Sequence, residues 1–180
     1  NAKNKGITIV SEIEFASWFT NSKIIAITGS NGKTTTSYIL AEMCKTHKVN
    51  GRMAGNMGIP FSECVFNEIL NPDKKTIYVL EISSFQMEFI EHFCPHIALY
   101  TNITEDHLDR HGGIGGYFNS KAKLFYNGMP KFSIINVDQP EGKYLANYLE
   151  QNSNFNTKVI HISSKKIITK SNWSISLING

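Results

Sequence analysis

The sequence has few cysteines, no long apolar run and no concentration of charge of one sign. Cys44, Cys64 and Cys94 are odd in number, far apart and without a C-x-x-C pair, which argues against a disulfide frame or a zinc site and suits reduced thiols used for packing. No run approaches the ~20 residues a membrane span requires, and Asn1-Ala2-Lys3-Asn4-Lys5 is not followed by a signal-peptide core. The expectation is a soluble, cytoplasmic chain without membrane insertion. Eighteen Lys and Arg against 15 Asp and Glu leave a net charge of +3, and the basic residues are scattered except for Lys165-Lys166. Nothing resembles a nucleic-acid stripe, so no nucleic-acid partner is expected. Internal repeats and low-complexity stretches are absent too.

What is there suits one sizeable core and one domain, since the chain has 180 residues of which 41% are hydrophobic. Its most telling stretch is Ile24-Ile25-Ala26-Ile27-Thr28-Gly29-Ser30-Asn31-Gly32-Lys33-Thr34-Thr35-Thr36, an apolar strand that stops at a small-residue turn and reopens as a helix. This reads as a phosphate cradle: glycines let backbone N–H groups face an anion, the helix start is electropositive, and Lys33 adds a mobile cation. Thr34 would offer its hydroxyl to a phosphate-bound Mg²⁺. The usual G-x-x-x-x-G-K-[ST] spacing is not met, because Ile27 stands five before Gly32; the loop from Gly29 is shorter.

Strand and helix signals alternate along the rest. Ile7–Val10 reads as a short strand, and Ser11-Glu12-Ile13-Glu14 as a capping box opening a helix whose apolar face is Phe15, Trp18 and Phe19. After the loop come a helix over Thr34–His47, a Gly-rich segment (Gly51–Gly58), a strand at Thr76–Leu80 and a helix over Ser84–Phe93. A strand at Ile97–Tyr100, a helix over Tyr117–Tyr126, a strand at Phe132–Val137, a helix over Glu141–Glu150 and a strand at Lys158–Ile162 follow. The pattern predicts an α/β fold, a mostly parallel sheet with helices on both faces. The tail, with short β segments at Ile167–Thr169 and Trp173–Ile178, lacks a following helix and ends at Asn179-Gly180. A boundary inside a longer protein is expected there.

In such sheets ligands collect beyond the carboxyl ends of the strands. Polar residues at four predicted strand ends therefore form one rim: the phosphate loop; Glu81 with Ser83-Ser84-Phe85-Gln86; Asn102 with Thr104-Glu105-Asp106-His107; and Asn136 with Asp138. Glu81 ends an apolar strand, where a carboxylate is costly without a cation, and a phosphate-bound Mg²⁺ would supply one; a satisfied structural acid is the other reading. His107 alone reads equally as a ligand or an ordinary histidine, and the neighbouring Asp106 and Asp109 favour the ligand. His47, His92, His96, His111 and His161 lack such context. Asn56, between Gly55 and Gly58, fits close backbone approach to a ligand and fits a plain turn nearly as well. Lys121 and Lys123 read as solvated helix charges.

Together these motifs resemble the central ATP-binding domain of the Mur ligases, the ATP-dependent amino-acid-adding enzymes of peptidoglycan precursor synthesis. The resemblance runs from about Gly6 to Asp138 and rests on Thr28-Gly29-Ser30-Asn31-Gly32-Lys33-Thr34-Thr35 and on Asn102-Ile103-Thr104-Glu105-Asp106-His107-Leu108-Asp109-Arg110-His111. Gly55-Asn56-Met57-Gly58-Ile59-Pro60 and Leu80-Glu81-Ile82-Ser83-Ser84-Phe85-Gln86-Met87-Glu88 are similar to the branch that adds D-glutamate to UDP-N-acetylmuramoyl-L-alanine. The fold it implies is of the P-loop type, and Gly29 to Thr35 form the nucleotide loop. By the same resemblance Lys33 holds the β- and γ-phosphates, Thr34 and Glu81 hold one Mg²⁺, and His107 a second. Lys121 matches the family's carbamylated, metal-stabilising lysine, so the resemblance overrides its reading as a solvated charge. Asn56 and Ser83 line the region between nucleotide and muramoyl substrate. The implied reaction forms an acyl phosphate that the amino acid's amine opens.

The family's N-terminal UDP-binding and C-terminal domains do not fit in this chain, and its Gly-x-His-Asn segment is missing. The expectation is a fragment that folds, binds Mg-ATP weakly and does not ligate. Rival readings are another Mur-type or a folylpolyglutamate-type ligase, against which Ser83-Ser84-Phe85-Gln86 argues; a phosphate-loop kinase or GTPase, which leaves Asp106–His111 unexplained and lacks a guanine-reading N-K-x-D; and a non-catalytic binding module.

Overall fold

In the computed structural model the residues described are 3–47, 49–72, 75–106, 108–127, 129–165 and 174–176. The strands are β1 (Lys23–Thr28), β2 (Asn50–Gly55), β3 (Thr76–Glu81), β4 (Ile97–Tyr100), β5 (Phe132–Asn136), β6 (Lys158–Ser163) and β7 (Ser174–Ser176). The helices are α1 (Glu12–Ser17), α2 (Lys33–Thr46), α3 (Phe61–Leu70), α4 (Leu108–His111), α5 (Ile114–Tyr126) and α6 (Pro140–Gln151). One seven-stranded sheet runs β2-β3-β1-β4-β5-β6-β7, and every ladder in it is parallel. The order steps outward in both directions from β1, so the carboxyl ends of β1, β3 and β4 lie side by side, where a doubly wound sheet gathers its ligands.

Strand residues alternate between two unequal cores. Ile24 and Ala26 of β1, Tyr78 and Leu80 of β3, and Ala98 and Tyr100 of β4 enter a large core with Ile13, Phe61, Leu124, Phe125 and Leu145. Ile27 and Val79 point the other way, onto Ala41 of α2, with Ile25 and Leu99 packed at the margin. This is the period of two expected of strands covered on both faces. Within α2 only Ser37 and Ala41 are buried, and Tyr38 and Ile39 are exposed.

Several expectations need correction. Ile7–Val10 forms no strand; it pairs with no described strand, and Ile7 and Ile9 are exposed. A β-branched run without a ladder partner has nothing to hold it extended. Ser11 does cap α1, accepting from the Glu14 N–H at 3.2 Å. The buried residues of α1 are Ile13, Glu14 and Ala16, whereas Phe15, Trp18 and Phe19 are about half exposed, with the Phe15 ring meeting Trp18 edge-on and Phe19 at a tilt.

The helix expected over Ser84–Phe93 shrinks to a 3-10 turn, Gln86–Phe89. Its cause is Glu14. That carboxylate is fully buried and accepts from the backbone N–H groups of Glu91, His92 and Phe93 at 2.8–3.1 Å and from Trp18 Nε1 at 3.0 Å. Those N–H groups are then unavailable to carry a helix onward. The Gly-rich segment hides the edge strand β2, in register with β3 from Asn50↔Thr76 to Gly55↔Glu81, and α3 follows it without having been expected. β7 lies within the expected tail, and its pairing with β6 adds it to the main sheet; Ile167–Thr169 and Trp173 lie outside the described residues.

Candidate functional site

Beyond β1 the chain turns at Gly29, whose φ is +140° and where a Cβ would stand 1.9 Å from Thr101 Oγ1. Only glycine lets the loop pass this close to the end of β4. The loop is then sewn to the residues after β4. Ser30 N–H donates to the Asn102 carbonyl at 2.9 Å and Thr104 N–H to Ser30 Oγ at 3.0 Å. Asn31 N–H donates to Asn102 Oδ1 at 2.9 Å, while Asn102 Nδ2 and Thr101 Oγ1 donate to the Asn31 carbonyl at 3.1 and 2.8 Å. Asn102 thus works as a rigid two-point brace for the loop. Gly32 precedes α2 in a left-handed conformation and offers no side-chain cap, so the first-turn N–H groups at Lys33, Thr34 and Thr35 meet no capping side chain, the arrangement that suits an anion. Lys33 Nζ donates to the Ser30 carbonyl at 2.8 Å.

At the end of β3, Glu81 is 2% exposed. Its Oε2 accepts from Thr34 Oγ1 at 2.6 Å and its Oε1 from Asn56 Nδ2 at 3.0 Å. Three segments thereby meet on one carboxylate: the start of α2, the end of β3 and the turn after β2. Gly55 makes this approach possible, since a Cβ there would lie 2.4 Å from the Glu81 carbonyl oxygen, and its φ is +104°. Among the described residues no group of three His, Cys, Asp or Glu side chains could hold a metal ion. A Mg²⁺ at Thr34 and Glu81 would therefore draw its remaining ligands from phosphate and water, the usual manner of nucleotide-bound magnesium.

Lys121 is not a solvated helix charge. It is 1% exposed, its Nζ donates to the Gly29 carbonyl at 2.9 Å, and it sits 4.1 Å from the centre of the Tyr117 ring. Burial, helped by the nearby Lys33 cation, lowers its pKa to about 7. Burial also raises the phenol of Tyr117. A lysine at the back of a phosphate loop that is partly neutral near pH 7 is a candidate for chemistry rather than for simple charge.

The other expected residues divide. Ser83 is tied into its own turn, with its N–H and Oγ on Gln86 Oε1 at 3.0 and 3.2 Å. Asp138 turns away from the loop toward β6: burial raises its pKa, but hydrogen bonds from Ser163 and Ser164 outweigh that and hold it low. Asn136 accepts from the Asp138 N–H. His107 lies outside the described residues. Sequence reasoning passed over Gln139, whose amide makes two 2.8 Å bonds to the backbone of Ile103. It quoted Arg110, His111 and Glu88 within longer motifs but gave none of them a role, because their partners are distant in sequence.

The Mur ligase middle domain family matches residues 27–177. Over 136 residues the chain is 43% identical to the UDP-N-acetylmuramoylalanine–D-glutamate ligase of Desulfatibacillum aliphaticivorans, a match covering 75% of this chain and 29% of that protein. The match thus spans less than a third of that relative's length. Among solved structures, a UDP-N-acetylmuramoyl-L-alanyl-D-glutamate–2,6-diaminopimelate ligase superposes with a TM-score of 0.65 at 25% identity, over 90% of this chain and 36% of that one. The MurF ligase from Thermotoga maritima in complex with ADP shares the fold, with a TM-score of 0.59 at 20% identity over 86% of this chain and 36% of that one.

Proposed function

This chain belongs to the Mur ligase family, and on that premise we propose that it is the ATP-binding middle domain of a longer, cytoplasmic, ATP-dependent ligase that joins D-glutamate to UDP-N-acetylmuramoyl-L-alanine. The observation that carries the reading is the meeting of Thr34 and Asn56 on the buried Glu81 carboxylate, directly beside the phosphate loop. Both the family match and the name of the relative support the reaction class, and the Ser83-Ser84-Phe85-Gln86 segment supports the choice of amino acid. The relative's greater length supports further chain beyond this domain; a UDP-binding domain and one that closes over ATP are part of the proposal.

In this reading the loop from Gly29 to Thr35 cradles the phosphates, and Lys33 leaves the Ser30 carbonyl to bridge the β- and γ-phosphates. Thr34 and Glu81 would hold a Mg²⁺, and His107 a second; when bound, the metal neutralises charge that spreads over the phosphoryl oxygens. The substrate carboxylate attacks the γ-phosphorus and ADP leaves. The amine of D-glutamate then attacks the resulting acyl phosphate, forming the amide and releasing phosphate. Asn56 and Ser83 line the space where the two anions approach. With its pKa lowered to about 7, Lys121 is in part the neutral amine that reaction with CO₂ requires: its nitrogen bonds the carbon, one proton leaves to solvent, and the neutral amine becomes an anionic carbamate able to support metal.

Phosphate release by the full-length protein with ATP, Mg²⁺ and UDP-N-acetylmuramoyl-L-alanine tests the reading, with D-glutamate compared against L-lysine, diaminopimelate and L-glutamate. Release that depends on D-glutamate is expected. Release with a different amino acid would keep the mechanism and overturn the subtype.

A further inference from the structure

Two segments far apart in sequence, the turn after β3 and the short helix α4, are clasped together beside the site. Arg110 forms a two-point pair with Glu88, Nε to Oε1 at 2.9 Å and Nη2 to Oε2 at 3.0 Å, and its guanidinium lies 4.7 Å from the centre of the Phe85 ring. His111 Nε2 is 3.0 Å from the Oγ of Ser84, a residue only 2% exposed. The His111 ring stands between Phe85, at 5.9 Å, and Tyr117, at 5.2 Å. Tyr117 in turn packs against Lys121 Nζ, which holds the Gly29 carbonyl. A continuous stack therefore runs from the rim of the turn to the back of the phosphate loop.

Arg110 is more than half exposed, and an isolated ion pair of that kind adds about 0–1 kcal/mol to stability. Stability is thus a weak reason for a fork-to-fork pair, a ring stack and a buried hydroxyl to coincide on two adjacent residues. Orientation is a better one: the planar fork and the stacked rings fix angles as well as distances.

We propose that Arg110 and His111 are positioning residues, which clasp Glu88 and Ser84 so that Tyr117 and Lys121 stay in register with the phosphate loop. The inference rests on the ligase reading for its kinetic consequence and on contact geometry alone for its structural one. Misplacement of a positioned group slows the chemical step more than it weakens binding of the nucleotide.

The test uses the full-length protein with His111→Ala, Arg110→Glu, Glu88→Arg and the Glu88→Arg/Arg110→Glu swap, followed by hydrogen–deuterium exchange and by phosphate release. Each single change should speed exchange in Gly29–Thr34 and Tyr117–Lys121 and lower kcat about tenfold with KM for ATP within about twofold, and the swap should recover most of both effects. Exchange altered only around residues 83–89 and 108–112 would overturn the proposal, as would a raised KM with intact kcat or a swap no better than its parents. If the unaltered protein releases no phosphate with D-glutamate, the ligase reading fails, and the exchange pattern still decides the clasp.

Discussion

Lys121 Nζ holds the carbonyl oxygen of Gly29 at 2.9 Å, from a position 92 residues further along the chain. A buried amine thus supports the first residue of the loop from within the fold. That contact joins the loop at the end of β1 to the middle of α5.

Protonation at this position should be visible in stability. Lys121 is depressed to about 7 from an ordinary 10.5, so between those values the unfolded chain binds a proton that the folded chain lacks, and this contribution makes stability rise with pH. Below about 7 both states are charged and the penalty is full and constant. Cys64 and Cys94, raised by burial, act in the opposite direction above about pH 8.5. A Lys121→Met variant isolates the lysine: its stability relative to the parent should be highest at and below pH 7 and fall by up to about 1.4 kcal/mol per pH unit above that. Urea unfolding in CO₂-free buffer measures it, and a pH-independent difference would contradict the assignment.

Lys33→Ala should remove most phosphate release from the full-length protein while leaving its unfolding midpoint nearly unchanged. Among the described residues the Lys33 side chain hydrogen-bonds the Ser30 carbonyl, a contact of roughly 0.5–1.5 kcal/mol. Near-normal release would show that Lys33 does not contact the transferring phosphate.

Gly29→Ala should destabilise the chain by about 1–3 kcal/mol, because the new methyl would collide with Thr101 Oγ1 at a backbone angle that L-residues avoid. Nucleotide binding should weaken with it, read by calorimetry with Mg-ATP. Unaltered stability would mean that β4 can give way.

Glu14→Ala should cost about 3–5 kcal/mol, since it strips the acceptor from three backbone N–H groups and from Trp18 Nε1 in a buried position. The residues after the Gln86–Phe89 turn should loosen first. Circular dichroism in urea together with exchange at Glu91–Phe93 would check both points.

Much of the scaffold was legible in the residues. The β4 limits agree between sequence and structure, and β1, β3, β5, β6, α2, α5 and α6 were each anticipated, because a buried parallel strand is an apolar run and its crossover helix has its own period. The failures share a cause. Ile7–Val10 has strand propensity and no partner, Ser84–Phe93 has helical spacing but gives its N–H groups to Glu14, and β2 is glycine-rich and held by its ladder with β3. In each the outcome depends on a residue many positions away.

The site divides along the same line. The phosphate loop, its lysine and threonine, the carboxylate at the end of β3 and the family were readable from the residues alone, because each is written in consecutive positions whose backbone and charge requirements are local. That Asn56 reaches Glu81, that Lys121 lies buried behind Gly29 with a lowered pKa, and that Arg110 and His111 grip the turn after β3 came from the packing of the folded chain. Desolvation and side-chain contact belong to the packed chain, and no spacing along the sequence encodes them.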